Sequence, residues 1–239
     1  MNLKKAFQAP QGKVQELDSH KLLHRAEAAR YTILRRLAPC LRHHMVRYLQ
    51  PISMIYEVID HRRAVVKPDL PTLYNNAEKI NGYAKAALQQ CLDVSNWLAP
   101  DADEVIAVGQ GVSECVELMS ASLNFRGYHV VNEVGNLGLH VGRDALRMLL
   151  TASLMAVTDA LADAAELVLK VARSDNQSVE LEMLVEPVKG GPAESYEDGY
   201  RKIVWSDVEA LARAEDVTLS RQGNRLVMGF AVQSSVAPH

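Results

Sequence analysis

The sequence predicts an α+β protein: an antiparallel helical hairpin at the N-terminal end, pairing with a second copy into a four-helix bundle, then an α/β sandwich. Two observations carry this. Residues 19–98 show apolar positions at helical spacing, broken only around a Pro-rich stretch at 67–72. After Pro100 the pattern changes to short β-branched runs alternating with helical segments and Gly-bearing turns.

Residues 1–18 are polar, contain Pro10 and Gly12, and read as a flexible arm. The first helix is expected over 19–66, with Leu22, Ala26, Ala29, Ile33, Leu37, Leu41, Met45, Leu49, Ile52, Ile55 and Ile59 on its apolar side and Ser19 as its cap. Pro39 and Pro51 each remove a backbone donor and should kink or break it. Lys67-Pro68-Asp69-Leu70-Pro71-Thr72 reads as a turn, and a second helix follows over 72–98. Two helices joined so briefly form a hairpin, which alone cannot enclose its apolar stripe, so a homodimer is expected. Residues 19–99 thus form a dimerisation domain and 100–239 a second domain.

In that second domain, strands are expected at 105–108 and 128–134, helices at 111–125 and 143–165, and a glycine-bearing loop at 135–142. A hairpin turning at Ser174-Asp175-Asn176-Gln177 joins strands at 167–172 and 179–185. A polar loop at 187–199, a helix at 200–214 and a last hairpin around Gln222-Gly223-Asn224 complete it, with the helices on one face of a mixed sheet.

Composition narrows the function classes. No run approaches the length of apolar chain that crosses a bilayer, and three scattered cysteines give no disulfide framework, so a cytoplasmic protein is expected. The net charge of −3 hides a division: residues 1–98 hold 15 Lys+Arg against 8 Asp+Glu, and 99–239 hold 11 against 21. A basic first half can attract an acidic partner. No nucleic-acid recognition module is evident. His20 and His24 lie one helical turn apart but have no third ligand, so no metal is expected. Gly135 to Gly142 lacks the ending of a phosphate loop, no nucleophilic triad motif occurs, and Trp97 and Trp205 read as packing anchors.

The chemically richest stretch is Leu41-Arg42-His43-His44-Met45-Val46-Arg47-Tyr48-Leu49-Gln50-Pro51-Ile52. A neutral imidazole nitrogen is a good nucleophile near neutral pH. Arg47 lies one turn beyond His43, and Arg35, Arg36 and Arg42 lie nearby, where guanidinium groups can steer an acidic partner and hold phosphate oxygens.

A helical hairpin with a histidine on its first helix, followed by this β/α order, resembles the transmitter region of bacterial sensor histidine kinases over residues 19–239. In that family apolar residues stand two, six and nine positions after the phosphorylated histidine. Counted from His43 these are Met45, Leu49 and Ile52; counted from His44 they are Val46, Gln50 and Ser53. Only the first register gives a continuous apolar stripe, which makes His43 the phosphoacceptor. The family's proline five positions on is Tyr48 here, with Pro51 beyond it.

The sequence departs from a complete kinase of this kind. His44 stands where the family has the acid that takes the histidine proton, and Arg47 where a small polar residue serves phosphatase chemistry. Residues 143–165 align with the nucleotide-binding helix, but its asparagine positions fall on Ala152 and Ala156. Glu186-Pro187-Val188-Lys189-Gly190-Gly191-Pro192 poorly matches the adenine-binding motif, and Glu197-Asp198-Gly199-Tyr200 keeps one glycine of the second phosphate loop. This combination resembles the ChpT-type histidine phosphotransferases. The resemblance implies a dimeric, cytoplasmic relay that binds no ATP and no cofactor of its own, takes phosphate on His43 from a response-regulator receiver domain, and uses the receiver's Mg²⁺. It makes Arg47 and His44 companions of His43, and Arg36, Arg42 and Tyr48 the partner-binding surface. The alternatives are a non-catalytic pseudokinase acting by binding, and a divergent kinase that still uses ATP.

Overall fold

The computed structural model describes residues 11–65, 70–99, 103–192 and 200–234, and the side chains of 19–62, 70–99, 103–188 and 200–234. Its elements are α1 (Gln11–Val65), α2 (Leu70–Leu98), β1 (Val105–Ala107), α3 (Val108–Phe125), β2 (Tyr128–Asn132), β3 (His140–Gly142), α4 (Arg143–Ala160), β4 (Asp163–Ser174), β5 (Ser178–Pro192), α5 (Trp205–Ala214), β6 (Thr218–Gln222) and β7 (Arg225–Ala231). The architecture is the expected one, a helical hairpin followed by a mixed α/β sheet domain. Tertiary contacts divide the chain into two units, Met1–Arg36 with Ala102–His239, and Leu37–Asp101. The long first helix is therefore shared, and the division falls within α1 at Arg36, where the sequence placed the whole helix in the hairpin.

The Leu37–Asp101 unit holds the rest of α1 and all of α2. α1 continues through Pro39 and Pro51 without the expected break. It also begins before Ser19, which lies inside the helix rather than capping it, and residues 11–18 of the expected arm are helical. Residues 66–69 of the expected turn lie outside the described residues. Leu70–Thr72 are already helix, with Pro71 in the first turn, where a missing N–H costs nothing. Only Ala87 and Trp97 of α2 are buried.

The other unit is built on a five-stranded sheet of order β2-β4-β5-β7-β6. β2 and β4 run parallel, and the remaining pairs are antiparallel. Period-two patterning sets the register. Leu169 pairs with Met183, Met183 with Leu226, and Leu181 with Met228, and all of these are buried on one face. The alternate positions Lys170, Glu182 and Arg225 form ion pairs on the other face. α4 is buried almost all round from Leu146 to Thr158, as its near-continuous apolar sequence requires. The β4–β5 turn is fastened by Asp175, whose carboxylate accepts the N–H groups of Gln177 and Ser178 at 2.8 Å each. The last hairpin turns at Gly223, which has φ +59°.

The differences from the sequence expectation are local. β3 lies inside the expected loop 135–142 and pairs with β1, too short for alternation to reveal it. A Cβ on Gly109, in the first turn of α3, would lie 2.1 Å from the Gly135 carbonyl oxygen, so close packing accounts for glycine there. α4 stops at Ala160, where Leu161 turns extended, and β4 starts earlier than expected. β5 runs on through Pro187, opposite Ala165 beside a register shift, where a polar loop was expected. α5 starts at Trp205 rather than at 200, because the Asp207 carboxylate accepts the Val204 N–H at 3.1 Å and fixes the helix start there.

Glu114 on α3 gathers the base of α4. It accepts from Arg147 at 2.8 Å and Arg143 at 3.2 Å, and Arg143 also pairs with Glu104. Burial pushes the Glu114 carboxyl up, but hydrogen bonds from Arg147 and Gln110 and the charges of Arg143 and Arg147 outweigh it, and the net shift is downward from 4.5. A lowered folded value means that the stabilisation is present above 4.5 and lost as pH falls through the folded value. Glu114→Gln is expected to cost about 1–2 kcal/mol at neutral pH and progressively less as pH falls below the ordinary carboxylate value, measured by urea unfolding across a pH series.

Candidate functional site

His43 and His44 are neighbours in sequence but differ in setting. His43 is exposed and His44 half-buried. Successive residues on a helix point about 100° apart, so the two imidazoles serve different faces. Their ring centroids are 6.4 Å apart and their planes 66° apart. Along the His43 face stand Arg47, one turn on, and Met54, which is eleven positions on and about 20° round the helix. Both are exposed, Met54 by 58%. Arg42 is exposed beside His43, and Tyr48 is half-buried one turn after His44. Between Glu27 and Glu57 the sequence has no Asp or Glu, so the field along this part of α1 is basic.

The apolar stripe beside His43 is covered unevenly. Met45 and Ile52 are half-buried, while Leu49 is 48% exposed. α2 also leaves Leu70, Tyr74, Leu88, Leu92 and Leu98 exposed.

Arg36, expected on the partner-binding surface, is elsewhere. Its side chain is 2% exposed and chelates the Asp159 carboxylate with both terminal nitrogens, one at 2.8 Å. Arg35 likewise lies over the Tyr200 ring, 5.9 Å from its centroid. Both belong to the unit that contains the sheet. The cause is the helix face: Ala26, Ala29, Thr32, Ile33 and Arg36 recur every three or four residues and are all buried. Ion pairs flank this face. Arg25 donates to Asp207 at 3.0 Å and also to Ser206, Arg30 pairs with Glu215, and Arg201 bridges Thr32 and Asp207 at 3.3 and 2.7 Å. Tyr31 meets Tyr200 edge-on at 6.2 Å. Asp159 also accepts from Arg126 and from the Ile203 N–H at 3.0 Å. Nearby, burial pushes the Asp144 carboxyl up, Glu215 adds to this, and Arg30 opposes it.

None of these carboxylate partners was expected from the sequence. The visible signal was Arg25, Arg30 and Arg36 on a helix face that also carries alanines, together with an acidic second half. That pattern suits a basic helix seated within its own chain as well as one facing a partner.

The same unit contains the positions aligned with a nucleotide site. Ala152 and Ala156 are buried, at 0% and 7% exposure. Asp159, the anchor of Arg36, lies three positions after Ala156 and seven after Ala152, on the same side of α4. Glu186 and Pro187 are strand residues paired to β4. Residues 197–199 lie outside the described residues, and Tyr200 packs on Tyr31. Among the described residues no cluster of three His, Cys, Asp or Glu side chains is placed to hold a metal ion. Cys115 is fully buried, and burial pushes its thiol up to about 12, which removes it as a nucleophile.

No family model matches the chain, and no curated protein does. Among solved structures it is similar to the histidine kinase AdeS of Acinetobacter baumannii at 12% identity and a TM-score of 0.39, covering 81% of this chain and 98% of that one. It is also similar to a bacterial phosphotransferase, at 13% identity and a TM-score of 0.38 over 96% and 100% of the two chains. A third is the mycobacterial sensor histidine kinase MprB, at 10% identity and a TM-score of 0.36, covering 54% of this chain and 95% of that one.

Proposed function

We propose that the protein is a histidine phosphotransferase of two-component signalling, relaying a phosphoryl group between receiver-domain aspartates through His43. The observation that carries this reading is the exposed His43 imidazole beside Arg42 and Arg47, on a stretch of helix without a carboxylate. A nitrogen lone pair of His43 attacks the phosphorus of a receiver's aspartyl phosphate. The P–N bond forms, the P–O bond to aspartate breaks, and the aspartate leaves as carboxylate. The reverse step charges a second receiver. The receiver's own Mg²⁺ would supply charge neutralisation, and this chain supplies nucleophile, docking surface and orientation. In this reading Arg47 holds phosphate oxygens, Arg42 steers the acidic receiver, and Tyr48 and His44 border the site.

Transfer is favoured over autophosphorylation from ATP by His44 at the acid's position and by the buried Ala152 and Ala156. Incubation with a phosphorylated receiver tests it: wild type gains label and His43→Gln gains none. Equal labelling of His43→Gln refutes it. A fluorescent ATP analogue with Mg²⁺ is expected to show no saturable binding. A second reading, a pseudokinase that acts by binding alone, is favoured by the same eroded positions; there His43→Gln would leave regulation intact.

The working unit in this proposal is a homodimer in the cytoplasm. Among the described residues no helix is long and apolar enough to cross a membrane. On α2, Leu70, Ala77, Ala84 and Leu88 lie along one exposed stripe, which a second copy would take from water. Leu88→Glu is expected to weaken self-association by at least about 30-fold, read by analytical ultracentrifugation. An unchanged sedimentation profile would place the dimer contact elsewhere.

A further inference from the structure

We infer that α5 and the C-terminal end of α4 form a helix-docking seat whose resident ligand is the chain's own residues 19–36. The seat's chemistry is acidic at separated points: Asp159 at the end of α4, Asp207 in the first turn of α5, and Glu215 just past its last. The resident helix answers each with an arginine, Arg36, Arg25 and Arg30 in that order. Between the charges it presents Ala26 and Ala29, both at 0% exposure, which let two helices approach closely. Asp207 is held ready by Arg201 and the Val204 N–H, and Asp159 by Arg126 and the Ile203 N–H. Both carboxylates have partners within the α/β elements as well as on α1, so their positions are fixed independently of it.

Specificity follows from spacing. A guest helix must carry arginines five and then six residues apart, with small side chains on the face between them. This distinguishes the seat from a general acidic patch, which would accept any basic peptide. It also makes the seat sensitive to ionic strength, because Arg25 remains 47% exposed and Arg30 25%.

The test uses the full chain and does not involve phosphate transfer, so it stands apart from the relay proposal. Arg25→Glu combined with Arg30→Glu should release the resident helix while leaving buried Arg36 unaltered. A labelled peptide of residues 19–37 should then bind this variant at least about tenfold more tightly than wild type, whose own segment competes at high effective concentration. A peptide with its arginines replaced by glutamate should bind neither. Equal binding to variant and wild type, or binding of the charge-reversed peptide, overturns the inference. Hydrogen exchange on wild type provides a measurement free of folding artefacts. Raising salt from about 0.1 to 1 M should speed exchange of 19–36 severalfold and leave 41–59 unchanged. Exchange that is insensitive to salt in 19–36 also overturns it.

Discussion

Asp159→Ala is expected to lower the melting temperature of the sheet-containing unit by on the order of 10 °C, corresponding to about 3–5 kcal/mol. The size follows from what the carboxylate touches. Its side chain is 2% exposed, and it faces Arg36 at 2% and Arg126 at 7%. Removing the anion takes this carboxylate from two guanidinium groups that are 2% and 7% exposed. The Ile203 N–H also loses its acceptor, at the approach to α5. Arg126 retains Thr158, whose carbonyl it reaches at 3.0 Å, and part of the structure therefore persists. The loss should appear first where α1 meets the unit, as faster exchange of residues near Arg36. A melting shift of less than about 3 °C would mean that water or nearby groups replace the carboxylate.

This cluster marks the boundary of what the sequence made legible. The hairpin, the order of helices and most strands follow from apolar period and turn chemistry, because each depends on residues close in the chain. Val179, Leu181 and Met183 announce a half-buried strand without help from elsewhere. What escaped depends on distant partners. β3 is three residues long and exists because β1 is beside it. Pro187 reads as a strand breaker, yet β5 passes through it next to a register shift. Arg36 reads as a surface residue until Asp159, 123 positions away, is placed against it. The candidate site divides in the same way. The His43 register could be argued from the sequence because it is a property of one helix. The fate of the neighbouring arginines was not, since a basic helix face looks alike whether it meets a partner or its own chain.

His43→Gln is expected to abolish phosphoryl acceptance, while His44→Gln retains a substantial part of it. Gln preserves polarity and helix propensity but has no nucleophilic nitrogen lone pair, because the amide nitrogen is delocalised into its carbonyl. The contrast between the two variants rests on exposure. In-line attack needs the phosphorus within about 3–3.5 Å of the nitrogen, with the receiver's Mg²⁺ site against it. Exposed His43 can meet that demand on the face it shares with Arg47, whereas half-buried His44 points about 100° away toward other neighbours. Arg47→Ala should slow transfer by about tenfold or more while leaving the melting temperature within about 2 °C, since no described contact ties its exposed side chain to either unit's core. Rapid-quench measurement of transfer from a phosphorylated receiver separates these outcomes. If His44→Gln loses all label and His43→Gln keeps it, the register argued from Met45, Leu49 and Ile52 is wrong by one residue, and the exposed face of α1 is not where the chemistry occurs.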